Sequence, residues 1–420
     1  MHKLSITLII IFLFNCGFNA QWVQQTSGSN AFFYSISCID SNNCWACGDD
    51  LGVAKIYHTT NGGTNWSQQL SSSSYDALYG ICFVDNNTGW AVGHAPPFVG
   101  LILKTTNGGA NWVQQVNGSQ QYLRGVSFIN QNTGCVVGSP GDILWTTNGG
   151  TNWSLQTATA RPFYSVCLID SNTGTTAGGN ATYSALVYRT TNGGVNWAQQ
   201  TNGGSGFLNS VSFSDNNNGM VVGQNVIIIH TTNGGSNWLT QQSGITDWLY
   251  CVKLINANTG FAVGGSSSST DILKTTNGGV NWFSQSNPGS YYLYGVAFVN
   301  TSIGFAVGGG GLILKTTNGG GITMISPVSN EIPGSFRLEQ NYPNPFNPTT
   351  KIKFEIPRES PTKLIIYDIL GHEVTTLLNE KLNAGTYEAS WDATGFSSGV
   401  YFYKLEAGDF AETKKMLMIK

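Results

Sequence analysis

The octapeptide TTNGGTNW at residues 59–66 recurs along most of the chain with one variable letter. Full copies begin at residues 59, 105, 146, 190, 231 and 275, and a shorter TTNGG begins at residue 316. Successive start positions therefore differ by 46, 41, 44, 41, 44 and 41 residues. A period in the low forties is typical of repeat architectures, in which each unit forms one supersecondary motif. The fold therefore has to be derived from the repeat before any single motif is interpreted.

One complete unit contains LYGICFVDNNTGWAVG at 78–93 and ILKTTNGGANW at 102–112. Apolar residues alternate in its LYGICFV, WAVG and ILKT segments, and the turn sequences NNTG and TNGG separate these runs. Four short strands in such a unit make one blade of a propeller. Because the WAVG-type element occurs seven times, the sequence predicts an all-β fold with a seven-bladed β-propeller.

The last repeat lacks its outer strand, since the TTNGG at 316 is followed by GITMIS and no tryptophan. The missing segment is found at the other end of the repeat region, where QWVQQ at 21–25 matches WVQQ at 112–115. We therefore expect Trp22 to lie in the outer strand of the seventh blade. Such a strand closes the ring and removes the unpaired sheet edges of an open array.

The charge of the chain excludes several classes of partner. Only 10% of its residues are charged, and the net charge of −3 provides no basic surface for nucleic acid or anionic lipid. No cluster of cysteine and histidine has the spacing of a zinc site. We therefore expect a monomer without cofactor, metal or nucleic-acid partner.

The first 20 residues, MHKLSITLIIIFLFNCGFNA, have the features of a signal peptide. A lysine precedes an apolar run from Leu4 to Phe14, which is too short to span a bilayer. The sequence therefore predicts a mature chain that begins at Gln21, reaches the periplasm and has no integral membrane span.

The repeated turn resembles the Asp-box of the BNR-repeat families, S/T-x-D-x-G-x-x-W/F, with asparagine in place of aspartate. These asparagines are Asn61, Asn107, Asn148, Asn192, Asn233, Asn277 and Asn318. The resemblance implies a structural turn between the third and fourth strands of a blade, remote from any catalytic centre. The combination of a GWAVG segment with ILKTTNGGxNW is also similar to the photosystem II assembly and stability factors.

The C-terminal segment differs from the repeats in composition, since residues 21–330 contain no glutamate and the remainder contains all nine. Its alternating strands, with proline and glycine at the turns, predict a small β-sandwich. NYPNPFNPTT, YDILG, SGVYFY and a final KKM resemble the type A sorting domain of the type IX secretion system. We expect a propeller over 21–320, a linker over 321–334 and a sorting domain of Ig-like form over 335–420. The resemblance implies the secretion machinery as a partner.

Some glycosidases are propellers with Asp-boxes, so an enzyme has to be considered. A sialidase needs an arginine triad and a glutamate that activates its tyrosine, and the propeller has no glutamate. Loop aspartates could still form the carboxyl pair of another glycosidase. The candidates are Asp49, Asp50, Asp76, Asp142, Asp247 and Asp271. Loop aspartates are more often turn formers, and we therefore expect no enzyme.

The binding surface can be located from the order of the strands. In a meander the first and third turns share one face, and the second turns share the other face with the connections between blades. The second turns vary in length between repeats, so we call their side the variable face. The innermost strands begin there, and the residues two positions before their Val or Ile are Tyr34, Tyr79, Arg124, Tyr164, Asn209, Tyr250 and Tyr294. We call these seven residues the channel ring.

The channel ring has two interpretations. Tyrosine faces and hydroxyls suit sugars or peptide side chains, and Arg124 suits an anionic group. Alternatively, each tyrosine only packs between neighbouring blades. The sequence predicts a secreted or surface-attached binding or adhesion module for an unknown glycan or protein, with a glycan-degrading enzyme or an assembly factor as alternatives. It also predicts a disulfide between Cys38 and Cys44.

Overall fold

The computed structural model describes residues 22–180, 184–200, 206–285, 287–320, 325–329, 332–393 and 396–419. The predicted signal peptide, residues 1–20, lies outside them. The described residues form strands and one short 3-10 helix, Gly309–Gly311, which confirms the all-β prediction. No helix in these ranges has the length and apolar character needed to cross a membrane.

The strands of the repeat region are numbered here in chain order. The first is β1 (Val23–Gln25). Blade 1 has β2 (Phe32–Cys38), β3 (Cys44–Asp50), β4 (Val53–Thr59) and β5 (Ser67–Ser72). Blade 2 has β6 (Ala77–Phe83), β7 (Gly89–Ala95), β8 (Val99–Thr105) and β9 (Val113–Gln114). Blade 3 has β10 (Leu123–Phe128), β11 (Gly134–Gly138), β12 (Asp142–Thr146) and β13 (Ser154–Thr157).

The remaining blades follow the same order. Blade 4 has β14 (Phe163–Leu168), β15 (Gly174–Asn180), β16 (Ser184–Thr190) and β17 (Ala198–Gln199). Blade 5 has β18 (Leu208–Phe213), β19 (Gly219–Gly223), β20 (Ile228–Thr231) and β21 (Leu239–Gln241). Blade 6 has β22 (Trp248–Leu254), β23 (Gly260–Gly265), β24 (Thr270–Thr275) and β25 (Phe283–Ser284). Blade 7 has β26 (Leu293–Phe298), β27 (Gly304–Gly308) and β28 (Ile313–Thr316).

The seventh sheet takes its outer strand from the N-terminus. Its strand order is β1-β28-β27-β26, whereas the other six sheets are consecutive antiparallel meanders. In this sheet Val23 lies opposite Lys315. Trp22 is fully buried, with its ring centroid 6.4 Å from that of Phe261 and 5.8 Å from that of Phe298. The N-terminal strand therefore completes blade 7 and packs against blade 6.

Adjacent blades are joined by hydrogen bonds as well as by apolar packing. The hydroxyl of Ser210 in blade 5 accepts a 3.1 Å hydrogen bond from the Val252 amide in blade 6. At the rim, the Lys315 ammonium of blade 7 donates a 2.6 Å bond to the Gly62 carbonyl of blade 1. Because β26 also contacts β2, the described blades form a ring.

The repeated TTNGG turn uses its polar groups internally. The Thr59 hydroxyl donates to the Asn61 side-chain oxygen at 3.0 Å and accepts from the Gly63 amide at 2.8 Å. The Asn61 oxygen also accepts a 2.9 Å bond from the Asn65 amide. The other repeats contain the same threonine-to-asparagine bond. The asparagine oxygen accepts hydrogen bonds from groups of its own turn, and its role in the repeat is therefore structural.

The sequence predicts a disulfide between Cys38 and Cys44, and the sulfur atoms of these residues are bonded in the structure. The two residues lie opposite each other where β2 and β3 meet. The disulfide therefore bridges the first hairpin of blade 1. Free thiols of the described residues occur at Cys47, Cys82, Cys135, Cys167 and Cys251.

The C-terminal region forms a two-sheet sandwich. Its strands are β29 (Ile325–Ser329), β30 (Arg337–Leu338), β31 (Thr349–Ile356), β32 (Ser360–Tyr367), β33 (Glu373–Leu382), β34 (Gly385–Asp392), β35 (Gly399–Ala407) and β36 (Phe410–Met418). The sheet orders are β29-β34-β31-β30 and β33-β32-β35-β36. Buried Phe354, Trp391 and Tyr403 belong to its core. Strand β29 lies inside the predicted linker and pairs with β34, so this sheet begins before residue 335.

Candidate functional site

The channel ring is built on a β-bulge that recurs in every blade. In blade 1 the register between β2 and β3 shifts between Phe33 and Ser35, which leaves Tyr34 without a partner. Equivalent shifts leave Tyr79, Arg124, Tyr164, Asn209, Tyr250 and Tyr294 unpaired. A bulged residue leaves the regular ladder, and its side chain can be re-aimed. Each predicted ring residue is therefore the bulged residue of its blade.

The glycine that ends the WAVG-type element makes the bulge sterically possible. In blade 6, a Cβ atom on Gly264 would overlap the main-chain carbonyl of Trp248, two residues before Tyr250. The same overlap would occur in the other blades at Gly48, Gly93, Gly138, Gly178, Gly223 and Gly308. This close backbone approach explains why the repeat keeps glycine at this position.

The tyrosines of neighbouring blades contact one another along the ring. The ring centroid of Tyr34 lies 5.4 Å from that of Tyr79 and 5.4 Å from that of Tyr294. Tyr294 in turn lies 5.0 Å from Tyr250, with the two ring planes inclined by 64°. Aromatic pairs at such separations and angles attract each other. The structure therefore brings four of the predicted tyrosines into one continuous aromatic arc.

Arg124 follows Tyr79 in the channel ring and lies among three tyrosines. Its guanidinium carbon lies 5.0 Å from the ring centroid of Tyr79, 5.2 Å from that of Tyr164 and 5.6 Å from that of Tyr122. The Arg124 Nε atom is buried and has no hydrogen-bond partner among the described residues. The guanidinium is therefore held by aromatic faces rather than by protein acceptors.

Asn209 differs from the other ring residues because its amide has a structural bond. Its side-chain nitrogen donates a 2.8 Å hydrogen bond to the Leu249 carbonyl of the next blade. Beside it, the ring centroid of Tyr164 lies 5.8 Å from that of Phe207. Asn209 therefore links blades 5 and 6 at the ring.

The carboxylates of Asp49 and Asp247 lie close to the aromatic arc. Burial raises the pKa of Tyr34, and the nearby Asp49 carboxylate raises it further. Burial together with Tyr294, Tyr292 and Asp247 raises the pKa of Tyr250 to about 12. Both phenols therefore remain neutral hydroxyl groups at physiological pH.

A histidine and an aspartate support the arc at blade 2. His94 is buried, and its Nε2 atom lies 3.2 Å from the Asp76 carboxylate. Its imidazole stacks on Tyr79 at a centroid distance of 5.7 Å. Burial lowers the pKa of His94, an effect that Asp76 opposes. The His94 imidazole, held by Asp76, therefore supports the ring of Tyr79.

A second group of aromatic residues was not predicted from the sequence. These residues lie two positions before ring residues and are Phe32, Tyr122, Phe207, Trp248 and Tyr292. Tyr292 lies 6.0 Å from Tyr250 and 5.9 Å from Tyr294, and Trp248 is 43% exposed. Their common offset from the ring residues is a sequence signal that could have identified them.

Three of the candidate catalytic aspartates, Asp142, Asp247 and Asp271, interact with protein groups in the variable loops. Asp247 lies beside Asp271, and burial and Asp247 raise the pKa of Asp271. Buried Asp142 accepts bonds from Ser119 at 2.8 Å and Thr157 at 3.1 Å. No group of three or more potential metal ligands occurs within the described ranges.

Two family models match separate parts of the chain. Residues 70–208 match the family described as photosynthesis system II assembly factor YCF48. Residues 340–420 match the secretion system C-terminal sorting domain. Among curated proteins, none matches the chain.

Solved structures show the propeller fold at low sequence identity. The structure of YCF48 bound to D1 peptide is 18% identical, with a TM-score of 0.57 over 71% of this chain and 97% of that chain. YCF48 from Cyanidioschyzon merolae is 19% identical, with a TM-score of 0.55 over 71% of this chain and 99% of that chain. The WD40 repeats of RRP9 are 10% identical, with a TM-score of 0.59 over 71% and 97%.

These matches agree with the architecture derived from the repeats and from the C-terminal motifs. A sorting domain of this family directs a protein to the outer surface or the medium. The chain is thus an exported all-β protein in which a propeller with BNR repeats, similar to the YCF48 assembly factors, precedes a type IX secretion system C-terminal sorting domain.

Proposed function

We propose that the propeller is an extracellular binding module whose ligand contacts the channel ring on the variable face. The single observation that carries this proposal is the environment of the Arg124 side chain. Its guanidinium lies against three tyrosine rings and has no protein acceptor for Nε. An arginine that only stabilises a fold normally hydrogen-bonds its neighbours, because burying an unpaired donor is unfavourable.

The ligand class follows from the chemistry of the ring. A carboxylate can pair with the Arg124 guanidinium, and flat apolar groups can pack on the tyrosines. A peptide with an acidic residue provides both features, and one structural neighbour is described as bound to a peptide. A glycan could also pack on the aromatic faces. We favour a protein segment as the ligand because it provides the carboxylate as well.

The binding prediction concerns Arg124→Gln. The full exported protein is screened against an immobilised library of acidic peptides and against a glycan array, and its peptide affinity is then measured by calorimetry. We expect the substitution to weaken peptide binding by about tenfold or more, because a charge-assisted bond to a carboxylate is lost.

The matched control is Lys55→Gln, which removes a cation that bonds Ser71 outside the ring. This control should retain affinity, and both variants should unfold at the same temperature as the parent. Equal peptide affinity of the Arg124 variant and the parent would contradict the proposal. Binding confined to the glycan array would replace the peptide with a sugar as the ligand.

Export would proceed through the periplasm, with removal of residues 1–20 and then of the sorting domain. Because β29 pairs with β34, we place the second cleavage between blade 7 and Ile325. The recovered protein is expected to begin near Gln21 and to lack the sandwich. N-terminal sequencing and intact mass measurement check both ends, and a surface or medium form that still ends at Lys420 would rule out cleavage.

A further inference from the structure

The channel ring has two parts with different electrostatic character. In one part the Arg124 guanidinium lies over Tyr79 and Tyr164, within the distance of about 6 Å at which cations and aromatic faces attract. In the other part, Tyr250, Tyr294 and Tyr34 follow one another. No lysine or arginine among the described residues lies over these three rings.

The three rings are inclined toward one another. The planes of Tyr34 and Tyr294 differ by 58°, and those of Tyr294 and Tyr250 differ by 64°. Centroid separations of 5.4 and 5.0 Å keep the rings in contact. Tyrosines inclined in this way form a wall of aromatic groups, and the faces of such groups attract ammonium ions.

The surrounding charges favour a cation at this wall and disfavour an anion. The Asp49 carboxylate lies close to Tyr34 at one end of the wall, and the Asp247 carboxylate lies close to Tyr250 at the other end. A carboxylate near an aromatic face makes the site more favourable for a positive charge. Arg124 provides the only comparable positive charge in the ring, and it lies in the other part.

We propose that Tyr34, Tyr250 and Tyr294 form a cage for a lysine or arginine side chain of the protein segment that occupies the variable face. This proposal rests on the proposed binding function and adds a charge requirement to it. The segment would carry an acidic residue for Arg124 and a basic residue for the tyrosine cage. The two parts of the ring would then fix the direction in which the segment lies across the channel.

The test compares two small probes on the full exported protein by ligand-observed NMR titration. One is N-acetyl-trimethyllysine amide, and the other is its uncharged isostere with a tert-butyl group in place of the trimethylammonium. The probes have nearly the same shape, so a difference in affinity reports the charge. We expect the cation to bind about tenfold more tightly than the isostere, as a desolvated cation–aromatic contact allows.

Variants then locate the site. Tyr294→Leu should abolish the preference for the cation, whereas Tyr294→Phe should retain most of it because the aromatic face remains. The control is Tyr291→Leu, since Tyr291 is 48% exposed and lies outside the ring. This control should leave the preference unchanged.

The outcomes separate the cage from the proposed function. Equal affinity of the parent for both probes overturns the cage, even where acidic peptides still bind through Arg124. A preference that persists in Tyr294→Leu also overturns it. Should the leucine variant not fold, Tyr250→Leu replaces it in the same comparison, since it removes another face of the cage. If the parent protein binds no acidic peptide, the proposed function itself is contradicted.

Discussion

Replacement of Trp22 by alanine is expected to lower the free energy of unfolding of the propeller by about 3–5 kcal/mol, the usual cost of truncating a buried large aromatic residue. The indole is fully buried and packs against Phe261 and Phe298 at the junction of blades 6 and 7. Removal of residues 21–26 should cost more, because the ladder between β1 and β28 would also be lost.

The measurement is chemical denaturation of the exported protein, followed by tryptophan fluorescence. The matched control is Val23→Ala, since Val23 belongs to the same strand and is 53% exposed. This control should change stability by less than about 1 kcal/mol. A Trp22→Ala variant with the denaturation midpoint of the parent would show that the N-terminal strand does not stabilise blade 7.

Replacement of Gly264 by alanine is the second substitution with a large expected effect. The new methyl group would overlap the Trp248 carbonyl, and main chain cannot move aside as a flexible side chain can. Overpacking of this kind costs about 3 kcal/mol when the backbone has to shift. Because the overlap falls beside the bulge, the side chain of Tyr250 should also leave its place in the channel ring.

The readouts are the unfolding free energy and the preference for the trimethyllysine probe, both of which should decrease. Val280→Ala serves as the control, because Val280 belongs to the same blade and is 65% exposed. Wild-type stability of the Gly264 variant would mean that the bulge tolerates a side chain. The conserved spacing of glycine and ring residue in the repeats would then need another explanation.

Much of the fold could be predicted from the sequence because the repeat gives the same information several times. Alternation and turn residues identify the four strands of a blade, and the absence of Trp from the seventh TTNGG repeat, at 316–323, points to the strand that contains Trp22. The strand Ile325–Ser329 could not be predicted. It belongs to no repeat, and its pairing with β34 depends on contacts with a distant part of the chain.

The positions of the channel-ring residues in their strands could be predicted from the sequence, whereas their contacts could only partly be predicted. Counting back from a recurrent Val or Ile locates Tyr34 and its equivalents, since the repeat fixes their place. The bulge at which they lie, and the overlap that demands Gly264, are properties of backbone geometry that residue types alone do not show. The bond from Asn209 to Leu249 depends on a contact between blades that the repeat does not predict, whereas Tyr292 could have been found from its fixed offset to Tyr294.

The pairing of the first strand with the last blade makes the two ends of the repeat region depend on each other during folding. The Ser27 hydroxyl donates a 2.7 Å bond to the Gly311 carbonyl, across 284 positions of sequence. Contacts this remote are entropically costly to close and form late. Blades 1–6 each contain all of their strands and can form as they emerge from synthesis or transport. Trp22, the first described residue of the chain, finds its place only when β28 arrives, so the closed ring exists only in a chain that has been completed through its seventh blade.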